Sequence, residues 1–222
     1  MNITMQIFTT FSLIKIQYQL SKKGLYIMSG GFSDKERMEI RQRLLNSGYE
    51  LSTEVGIKKM TIAMIAKNTG VAVGTFYNFF ASKEEYVVAM IRDTEVKYEK
   101  EMASHFSKDG TIALKKFLGV FRENFKPENN FLLRIKLDDW VWLKSHISDS
   151  AYLNTANDLK KYEFMFAKIR GIRKDAEPGV VVNFIKSIYA LYQNRDTLFE
   201  GSLQTNVDLI FDALYRYLKE GR

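Results

Sequence analysis

Apolar residues recur along the chain every three or four positions, which is the spacing of one face of an α-helix. After residue 32 this pattern predicts nine helices, separated by glycine, by proline and by short polar breaks. The predicted ranges are 34–55, 62–69, 73–80, 82–107, 111–125, 129–145, 149–170, 178–199 and 203–219. The sequence therefore predicts an all-α protein of about nine helices.

Caps and a glycine divide the first part of the chain into short helices. Ser33 and Ser82 are each followed three residues later by a glutamate, which is the spacing of a capping box at a helix start. Thr61 is a candidate N-cap for a second helix, which Gly70 ends after two turns. A short helix, a glycine-containing turn and another short helix form the geometry that places one helix in the DNA major groove.

These residues resemble the N-terminal domain of the tetracycline-repressor (TetR/AcrR) family of regulators. The resemblance covers roughly residues 36–92. It rests on Thr61-Ile-Ala-Met-Ile-Ala66, Gly70-Val-Ala-Val-Gly-Thr-Phe-Tyr-Asn-Phe-Phe80 and Ser82-Lys-Glu-Glu85. The resemblance implies an N-terminal three-helix, helix-turn-helix DNA-binding domain over residues 33–84. A larger helical domain for effector binding and dimerisation would follow over residues 85–222.

The resemblance also implies which side chains contact DNA. A phosphate is expected at Thr61, because a helix N-terminus offers free N–H groups and the positive end of the helix dipole. Tyr77 is expected to donate its hydroxyl to a phosphate, and Asn78 can pair with N6 and N7 of adenine. Lys83 matches a backbone-contacting lysine of the family, whereas Phe76 and Phe80 match core positions. The complete expected set is Thr61, Val73, Gly74, Thr75, Tyr77, Asn78 and Lys83.

Two residues depart from the family pattern. Ala72 stands where a capping serine is common, so about 0.5–2 kcal/mol of cap stabilisation is missing. Val73 is apolar where many relatives carry a polar reader, although it can contact a thymine methyl group. Each DNA-contacting residue taken alone also has an ordinary structural explanation, as a cap, a half-buried ring or a solvated lysine. Only the joint spacing favours DNA binding, and the base preference stays open.

The last two predicted helices are apolar over more than one stripe, so each has a second face to bury. The resemblance implies that they form a four-helix interface with the same pair of a second chain. The expected interface residues are Phe184, Ile188, Tyr192, Leu203, Val207, Ile210 and Leu214. The alternative is a core that lies wholly within one chain.

The region between the two ends is rich in aromatic residues, and members of the family hold a small-molecule pocket there. Such a pocket would suit a small apolar or amphipathic effector. The expected lining residues are Phe117, Phe121, Trp140, Trp142, His146 and Phe166. Taken singly, each aromatic residue is also explained as part of a core, and His146 as an exposed helix residue.

Composition and charge agree with a small basic module on a larger neutral body. The chain has 33 Lys and Arg against 26 Asp and Glu, a net charge of +7, and +6 of this lies in the first 83 residues. A basic segment of this kind suits nucleic-acid binding. The chain has no cysteine and two histidines, which excludes disulfides, thiolate nucleophiles and cysteine-based zinc sites. We expect a reduced, cytoplasmic protein without a cofactor or a metal.

An enzyme is not expected. The sequence lacks a P-loop, a strand-preceded G-x-G-x-x-G, H-E-x-x-H and G-x-S-x-G. Asp138 and Asp139 are neighbours, so on a helix they point about 100° apart and make a poor acid/base pair. No apolar run reaches the roughly 18–20 residues of a membrane span. The main alternative to a DNA-binding regulator is a helical protein-interaction adaptor that keeps the fold without specific DNA binding.

Residues 1–32 form an N-terminal extension with two explanations. The codons for Lys23 and Gly24 can spell a bacterial ribosome-binding sequence, and three codons then separate them from Met28. This spacing suggests that translation starts at Met28, which an intact-mass measurement of the native protein would decide. The alternative is an N-terminal arm whose lysines touch DNA.

Overall fold

The computed structural model describes residues 32–147 and 155–219, so the expected N-terminal extension lies almost entirely outside the described residues. Within these two ranges the chain forms nine α-helices and one pair of two-residue parallel strands, in which Ile112 pairs with Ile169. The expected all-α fold is confirmed. In chain order the elements are α1 Asp34–Glu54, α2 Ile62–Thr69, α3 Val73–Tyr77, α4 Lys83–Ser104, β1 Ile112–Ala113, α5 Leu114–Glu123, α6 Leu137–His146, α7 Thr155–Phe166, β2 Ile169–Arg170, α8 Pro178–Gln193 and α9 Leu203–Leu218.

The predicted caps are present at both helix starts, although the second one is rearranged. Ser33 Oγ accepts from the Glu36 N–H at 3.3 Å, and the Ser33 N–H donates to Glu36 Oε2 at 2.7 Å, which completes the capping box of α1. At α4, Ser82 Oγ accepts from the Glu85 N–H at 3.2 Å. The Glu85 carboxylate then accepts from the Ala81 N–H instead of the Ser82 N–H, at 2.8 Å.

Several predicted helices are shorter in the structure, and three of them end or divide at a clear turn. α3 ends at Tyr77 rather than at residue 80, because the chain continues in a tight turn in which the Phe79 N–H donates to the Phe76 carbonyl at 2.9 Å. The predicted helix 129–145 divides into a 3₁₀ turn at Phe131–Leu133 and α6. The predicted helix 178–199 ends at Gln193, and two 3₁₀ turns lead on to α9.

The N-terminal core is formed by α1 to α4 together with the segment that contains α6. Leu44, Ile65, Phe76 and Tyr86 are fully buried at its centre. The residues that reach it from the later segment are Phe131, Ile135, Leu143 and Ile147. α6 therefore packs mainly on the helix-turn-helix region, although the ring of Trp140 also lies 5.8 Å from that of Tyr189 on α8.

The C-terminal core lies among α5, α8 and α9 and is rich in aromatic rings. Phe121 lies 5.3 Å from Phe117, 5.2 Å from Phe125 and 5.9 Å from Phe211, measured between ring centroids. α4 belongs to both cores, because its first half is buried in the N-terminal core and Met102 near its end is buried in the C-terminal core. Within the described residues no helix is both long and apolar enough to cross a membrane.

Candidate nucleic-acid interface

Two buried phenylalanines hold α3 on the N-terminal core. Phe76 is fully buried, and Phe80, in the turn that follows α3, is 2% exposed. Their ring centroids lie 5.3 Å and 5.0 Å from the ring of Tyr86, in edge-to-face geometry. Each buried aromatic ring removes a large apolar area from water, and such ring pairs add about 0.5–1.5 kcal/mol. The inner face of the short helix is therefore fixed, as the sequence predicted for these two residues.

Tyr86 also connects α4 to α1 through a directional contact. Its hydroxyl donates a hydrogen bond to the carbonyl of Leu44. The ring passes so close to α1 that a Cβ at Gly48 would overlap the Tyr86 hydroxyl and lie 2.6 Å from Met90 Sδ. Burial raises the pKa of Tyr86, so the hydroxyl stays protonated and remains a donor. Gly48 is thus required by the close approach of two helices.

The outer face of α3 presents predicted DNA-contacting residues to solvent. Val73 is 44% exposed and Tyr77 is 52% exposed, and Gly74 and Asn78 are exposed beside them. Thr75 is half-buried. A Cβ at Gly74 would meet no atom within 4 Å among the described residues, so no contact within the chain requires a glycine there. This surface is open to a close approach by another molecule.

The N-terminus of α2 lies at Thr61, which is exposed and extended. Its Oγ1 accepts a hydrogen bond from the Met64 N–H at 3.2 Å, as expected for an N-cap. The other first-turn N–H groups of a helix have no partner within that helix, so they are available to an anion. Gly70, with φ +69°, ends α2 in the left-handed conformation. Ala72 provides no side-chain cap for α3, in agreement with the sequence analysis.

Lys83 does not extend freely into solvent, which changes the role expected from its sequence position. Its Nζ donates to the carbonyl of Lys58 at 3.0 Å and lies 4.6 Å from the centroid of the Trp142 ring. Burial lowers the pKa of Lys83, and the charges of Glu84 and Asp139 oppose that change. In this structure the lysine connects the α1–α2 loop with α6.

Asp139, which the sequence analysis considered only as half of a poor acid/base pair, connects α6 to the α1–α2 loop. It is 4% exposed on α6, and its Oδ1 accepts the N–H of Lys58 at 2.7 Å. A Cβ at Gly56, which has φ +85°, would lie 2.8 Å from Asp139 Oδ2. We call the group Lys58, Lys83, Asp139 and Trp142 the α6 latch, because it joins α6 to the loop that precedes α2. Its contacts join positions up to 81 residues apart, so no local spacing could reveal them.

Two arginines of α1 place positive charge beside the end of α3. The guanidinium of Arg37 lies 5.2 Å from the ring centroid of Phe79, and that of Arg41 lies 5.6 Å from the ring of Phe80. Cation–π contacts of this length orient the guanidinium groups. The sequence analysis missed both residues, although their i, i+4 spacing would have placed them on one face of α1.

Comparison with known proteins agrees with this geometry. Residues 44–90 match the family model described as bacterial regulatory proteins of the tetR family. The helix-turn-helix segment therefore matches the TetR family. The chain is 26% identical over 131 residues to the helix-turn-helix regulator YerO of Bacillus subtilis (strain 168), a match that covers 56% of this chain and 44% of that protein. It is 23% identical over 124 residues to the regulator BetI of Stenotrophomonas maltophilia (strain R551-3), covering 55% and 63%. The chain spans about half the length of the curated relatives it matches.

Solved structures of TetR-family regulators share the fold. The fatty acid degradation regulator FadR of Bacillus halodurans has a TM-score of 0.57 at 16% identity, with 83% of this chain and 96% of that chain covered. SmeT of Stenotrophomonas maltophilia has a TM-score of 0.56 at 16% identity, with 81% and 90% covered. The relatives named here are regulators and not enzymes.

The six residues expected to line an effector pocket are not brought together in one core. Phe117 and Phe121 are buried in the C-terminal core, and Phe166 packs against it. Trp140 and Trp142 pack instead on the N-terminal core. His146 is exposed, with its ring stacked on Trp142 at 4.4 Å. The structure thus divides the set between two cores, because α6 packs mainly on the helix-turn-helix region, and the pocket stays a prediction.

The expected dimer residues are divided in the same way. Five of the seven are at most 6% exposed within one chain, because α8 and α9 use that stripe to pack on each other and on α5. These five are Ile188, Tyr192, Leu203, Val207 and Leu214. Phe184 and Ile210 are half-buried. The exposed apolar residue on α9 is Leu209, at 58%. A second chain could therefore reach Phe184, Ile210 and Leu209, but not the five core residues.

Proposed function

We propose that this protein is a sequence-specific, double-stranded-DNA-binding transcriptional regulator of the TetR family. It acts as a homodimeric repressor that a small-molecule effector releases from a pseudo-palindromic operator. The observation that carries the proposal is the outer face of α3. Val73, Gly74, Tyr77 and Asn78 are exposed there, while Phe76 fixes the inner face, and the whole element lies inside the segment that matches the family model.

The surface around α3 suits a DNA duplex. The major groove is about 12 Å wide and admits one helix, and the carboxamide of Asn78 can pair with adenine there. The Tyr77 hydroxyl and the N-terminus of α2 at Thr61 are placed for phosphates. Positive charge comes from Arg37 and Arg41, which are stacked on the phenylalanines at the end of α3. Phosphate contacts of this kind supply affinity, whereas the groove contacts supply specificity.

Lys83 takes a positioning role in this proposal. Because its ammonium group is bound to the Lys58 carbonyl and the Trp142 ring, it fixes the α1–α2 loop relative to α6. Phosphate contacts then fall to Arg37, Arg41 and Tyr77. This assignment replaces the direct phosphate contact that the family resemblance implied.

A homodimer is supported by the outer faces of α8 and α9, where Leu209 is exposed and Phe184 and Ile210 are half-buried. A two-fold dimer would present two α3 helices to half-sites about 34 Å, one helical turn, apart. Among the proteins that share the fold, SmeT is described as the repressor of a multidrug efflux pump. We propose that this protein likewise acts as a repressor, in the cytoplasm. Effector and operator must then weaken each other's binding by the same factor.

The test is fluorescence anisotropy of labelled DNA from upstream of the gene for this protein, titrated at several salt concentrations. We expect saturable binding that falls steeply with salt and resists random competitor DNA. Asn78→Ala should reduce discrimination between operator and random DNA by about 10-fold, because one base contact contributes about 1–3 kcal/mol. Arg37→Gln should weaken binding to both DNAs and lower the salt slope by about one. Lys115→Gln, an exposed charge on α5, is the matched control.

The contrary outcomes are distinct. In the first, random competitor DNA displaces the operator as readily as unlabelled operator does, and Asn78→Ala leaves binding unchanged. This result would contradict sequence-specific recognition by α3. An absence of DNA binding in a folded protein would favour the adaptor alternative. Sedimentation of Leu209→Arg tests the dimer separately, because a charge in the proposed interface should shift the protein toward monomer. An unchanged dimer would place the interface elsewhere.

A further inference from the structure

A cavity of about 320 Å³ opens between the two cores, with walls from three parts of the chain. Tyr49 lies on α1, Thr94 and Tyr98 lie on α4, and Phe131 and Arg134 lie on the linker from α5 to α6. This volume is near the lower end of the range of about 300–1,000 Å³ that is typical of small-molecule sites. None of the six residues expected to line an effector pocket lines this cavity. It is therefore a different site from the one that the aromatic content of the sequence suggested.

Two polar atoms of the lining residues are buried without a partner. The Tyr98 hydroxyl and Arg134 Nε are shielded from solvent, and neither makes a hydrogen bond with any of the described residues. Buried polar groups in native proteins almost always have a partner, so each unpaired group calls for an explanation. Two such groups in the wall of one cavity have a common explanation if a ligand supplies the missing partner.

The unpaired groups determine what the ligand must offer. An arginine Nε–H is a donor only, so its partner must be an acceptor, and a carboxylate matches the planar guanidinium in geometry and charge. Burial raises the pKa of the Tyr98 hydroxyl well above its ordinary value, so this group too remains protonated and can donate. Both groups therefore require an acceptor oxygen, and the charge of Arg134 favours an anionic one.

The other charges around the cavity do not change this preference. The ammonium group of Lys97 is bound to Asp93 Oδ2 at 2.7 Å, which largely neutralises it. The carboxylates of Glu101 and Glu128 belong to exposed residues, where water screens their repulsion of an anion. Arg134 is thus the charge that a buried ligand would meet.

The apolar part of the cavity favours a flat ligand. The rings of Tyr49 and Phe131 lie 5.1 Å apart between centroids and are tilted by 54°. Aromatic ligands pack well against ring faces and edges in such an arrangement. Together with the small volume, this limits the ligand to about one ring and a short polar group.

We propose that this cavity binds a small aromatic carboxylate, with its carboxylate on Arg134 and Tyr98 and its ring against Tyr49 and Phe131. The inference deepens the proposed function, on which its regulatory part rests, by giving the effector a site and a chemical class. Tyr49 belongs to the helix-turn-helix region, and its hydroxyl donates to Asp93 Oδ2 at 2.8 Å and also lies 3.0 Å from the Met90 carbonyl on α4. A ligand in the cavity therefore contacts both cores at once.

The linker wall also leads directly into α6, which carries Asp139 and Trp142 of the α6 latch. A ligand that prefers one spacing between α1 and the linker shifts the population toward that spacing. The α6 latch transmits such a shift to the loop that precedes α2. Binding at the cavity and DNA reading at α3 are then coupled through one element.

The test uses the purified full-length chain without DNA, with sodium benzoate as the probe and benzyl alcohol and benzylamine as neutral and cationic counterparts. Thermal unfolding and calorimetric titration are measured for each compound. We expect benzoate to bind saturably and to raise Tm, with an affinity at least about 10-fold higher than that of the other two, because a charge-assisted hydrogen bond distinguishes them.

Three variants locate the site. Arg134→Gln should weaken benzoate binding about 10-fold or more, and Arg170→Gln, at an exposed position on β2, should leave it unchanged. Tyr98→Phe should weaken benzoate binding several-fold while raising the Tm of the free protein, because it removes an unpaired buried hydroxyl. A purely structural role for Tyr98 would not combine these two opposite effects.

Non-saturable benzoate binding, or equal binding to the wild type and Arg134→Gln, would overturn the proposal. The DNA arm is separate, because benzoate binding is measured on the protein alone. If benzoate binds as expected and also lowers operator affinity in anisotropy, the site is an effector site. If benzoate binds but operator affinity does not change, the proposed carboxylate site is supported and its proposed coupling to DNA binding is contradicted. If the protein does not bind DNA at all, the proposed function fails while the site still stands.

Discussion

Both cores of this protein pack aromatic rings, and the N-terminal core adds buried hydrogen bonds between its helices and loops. In the N-terminal core, directional hydrogen bonds fix the helices: Tyr86 donates to the Leu44 carbonyl, and Asp139 accepts from the Lys58 N–H. In the C-terminal core, Phe121 lies among neighbouring aromatic rings in stacked and edge-to-face contacts. Directional bonds hold one geometry, whereas apolar contacts tolerate repacking. This difference suits a DNA-binding surface of fixed geometry at α3, joined to a C-terminal core whose packing can change.

The largest expected effect comes from removing one buried phenylalanine from each core. Phe76→Ala and Phe121→Ala each remove a buried ring, and each should lower the free energy of unfolding by about 3–5 kcal/mol. Only Phe76→Ala should also abolish DNA binding, because Phe76 fixes α3. Urea unfolding and anisotropy at a temperature at which both variants are folded measure the two effects. Equal loss of DNA binding in both variants would show that the cores do not act separately.

Two glycines should respond with opposite signs to the same added methyl group. Gly48→Ala forces a Cβ into the Tyr86 hydroxyl and Met90, so we expect a loss of about 1–3 kcal/mol. Gly119→Ala, on exposed α5, meets no atom within 4 Å among the described residues and should stabilise the protein by about 0.5–1 kcal/mol. Urea midpoints give both values. A stable Gly48→Ala variant would mean that α1 and α4 can separate.

Neighbouring aspartates on α6 test the α6 latch. Asp139→Ala leaves the Lys58 N–H without its acceptor and should cost about 1–3 kcal/mol, whereas Asp138→Ala, at an exposed position, should stay within about 0.5 kcal/mol of the wild type. Hydrogen exchange at the Lys58 amide should accelerate only in Asp139→Ala. Equal exchange rates in the two variants would remove the α6 latch from the account of domain coupling.

The same division explains what the sequence could predict. The Ser33 capping box, the Thr61 cap and the Gly70 stop are local, since each depends on residues within four positions, and the structure contains all three. The inner positions of Phe76 and Phe80 followed from the family pattern. The placement of α6 could not be predicted. Both cores offer an apolar surface, and the periodicity of apolar residues does not determine which of the two surfaces a helix packs against.

The dimer residues show this limit most directly. The apolar stripes of α8 and α9 were recognised, but a stripe looks the same whether it faces α5 or a second chain. The structure buries Ile188 and Val207 completely within one chain and leaves Leu209 outside. Lys83 is similar: its position at the start of α4 was predicted, but its contact with Trp142 joins residues far apart in sequence.

The smallest expected effect concerns the pH dependence of the N-terminal core. Burial by itself raises the pKa of Asp93, but hydrogen bonds from Lys97 and Tyr49 outweigh burial and bring that pKa below its ordinary value of 3.8. The unfolded chain then binds the proton more readily than the folded one. The stabilisation from Asp93 is therefore complete above pH 3.8 and is lost as the pH falls through the lower folded pKa.

Asp93→Asn should accordingly reduce the loss of stability in acid, and Tyr49→Phe should reduce it less, because Tyr49→Phe removes only one of the hydrogen bonds to the Asp93 carboxylate. The measurement is a series of urea midpoints from about pH 2 to about pH 6, followed by tryptophan emission. Both tryptophans of the chain, Trp140 and Trp142, pack on the N-terminal core, so the emission reports on that core. An acid transition that is unchanged in Asp93→Asn would mean that Asp93 does not fix the contact between α1 and α4. In that case Tyr86 would carry that contact.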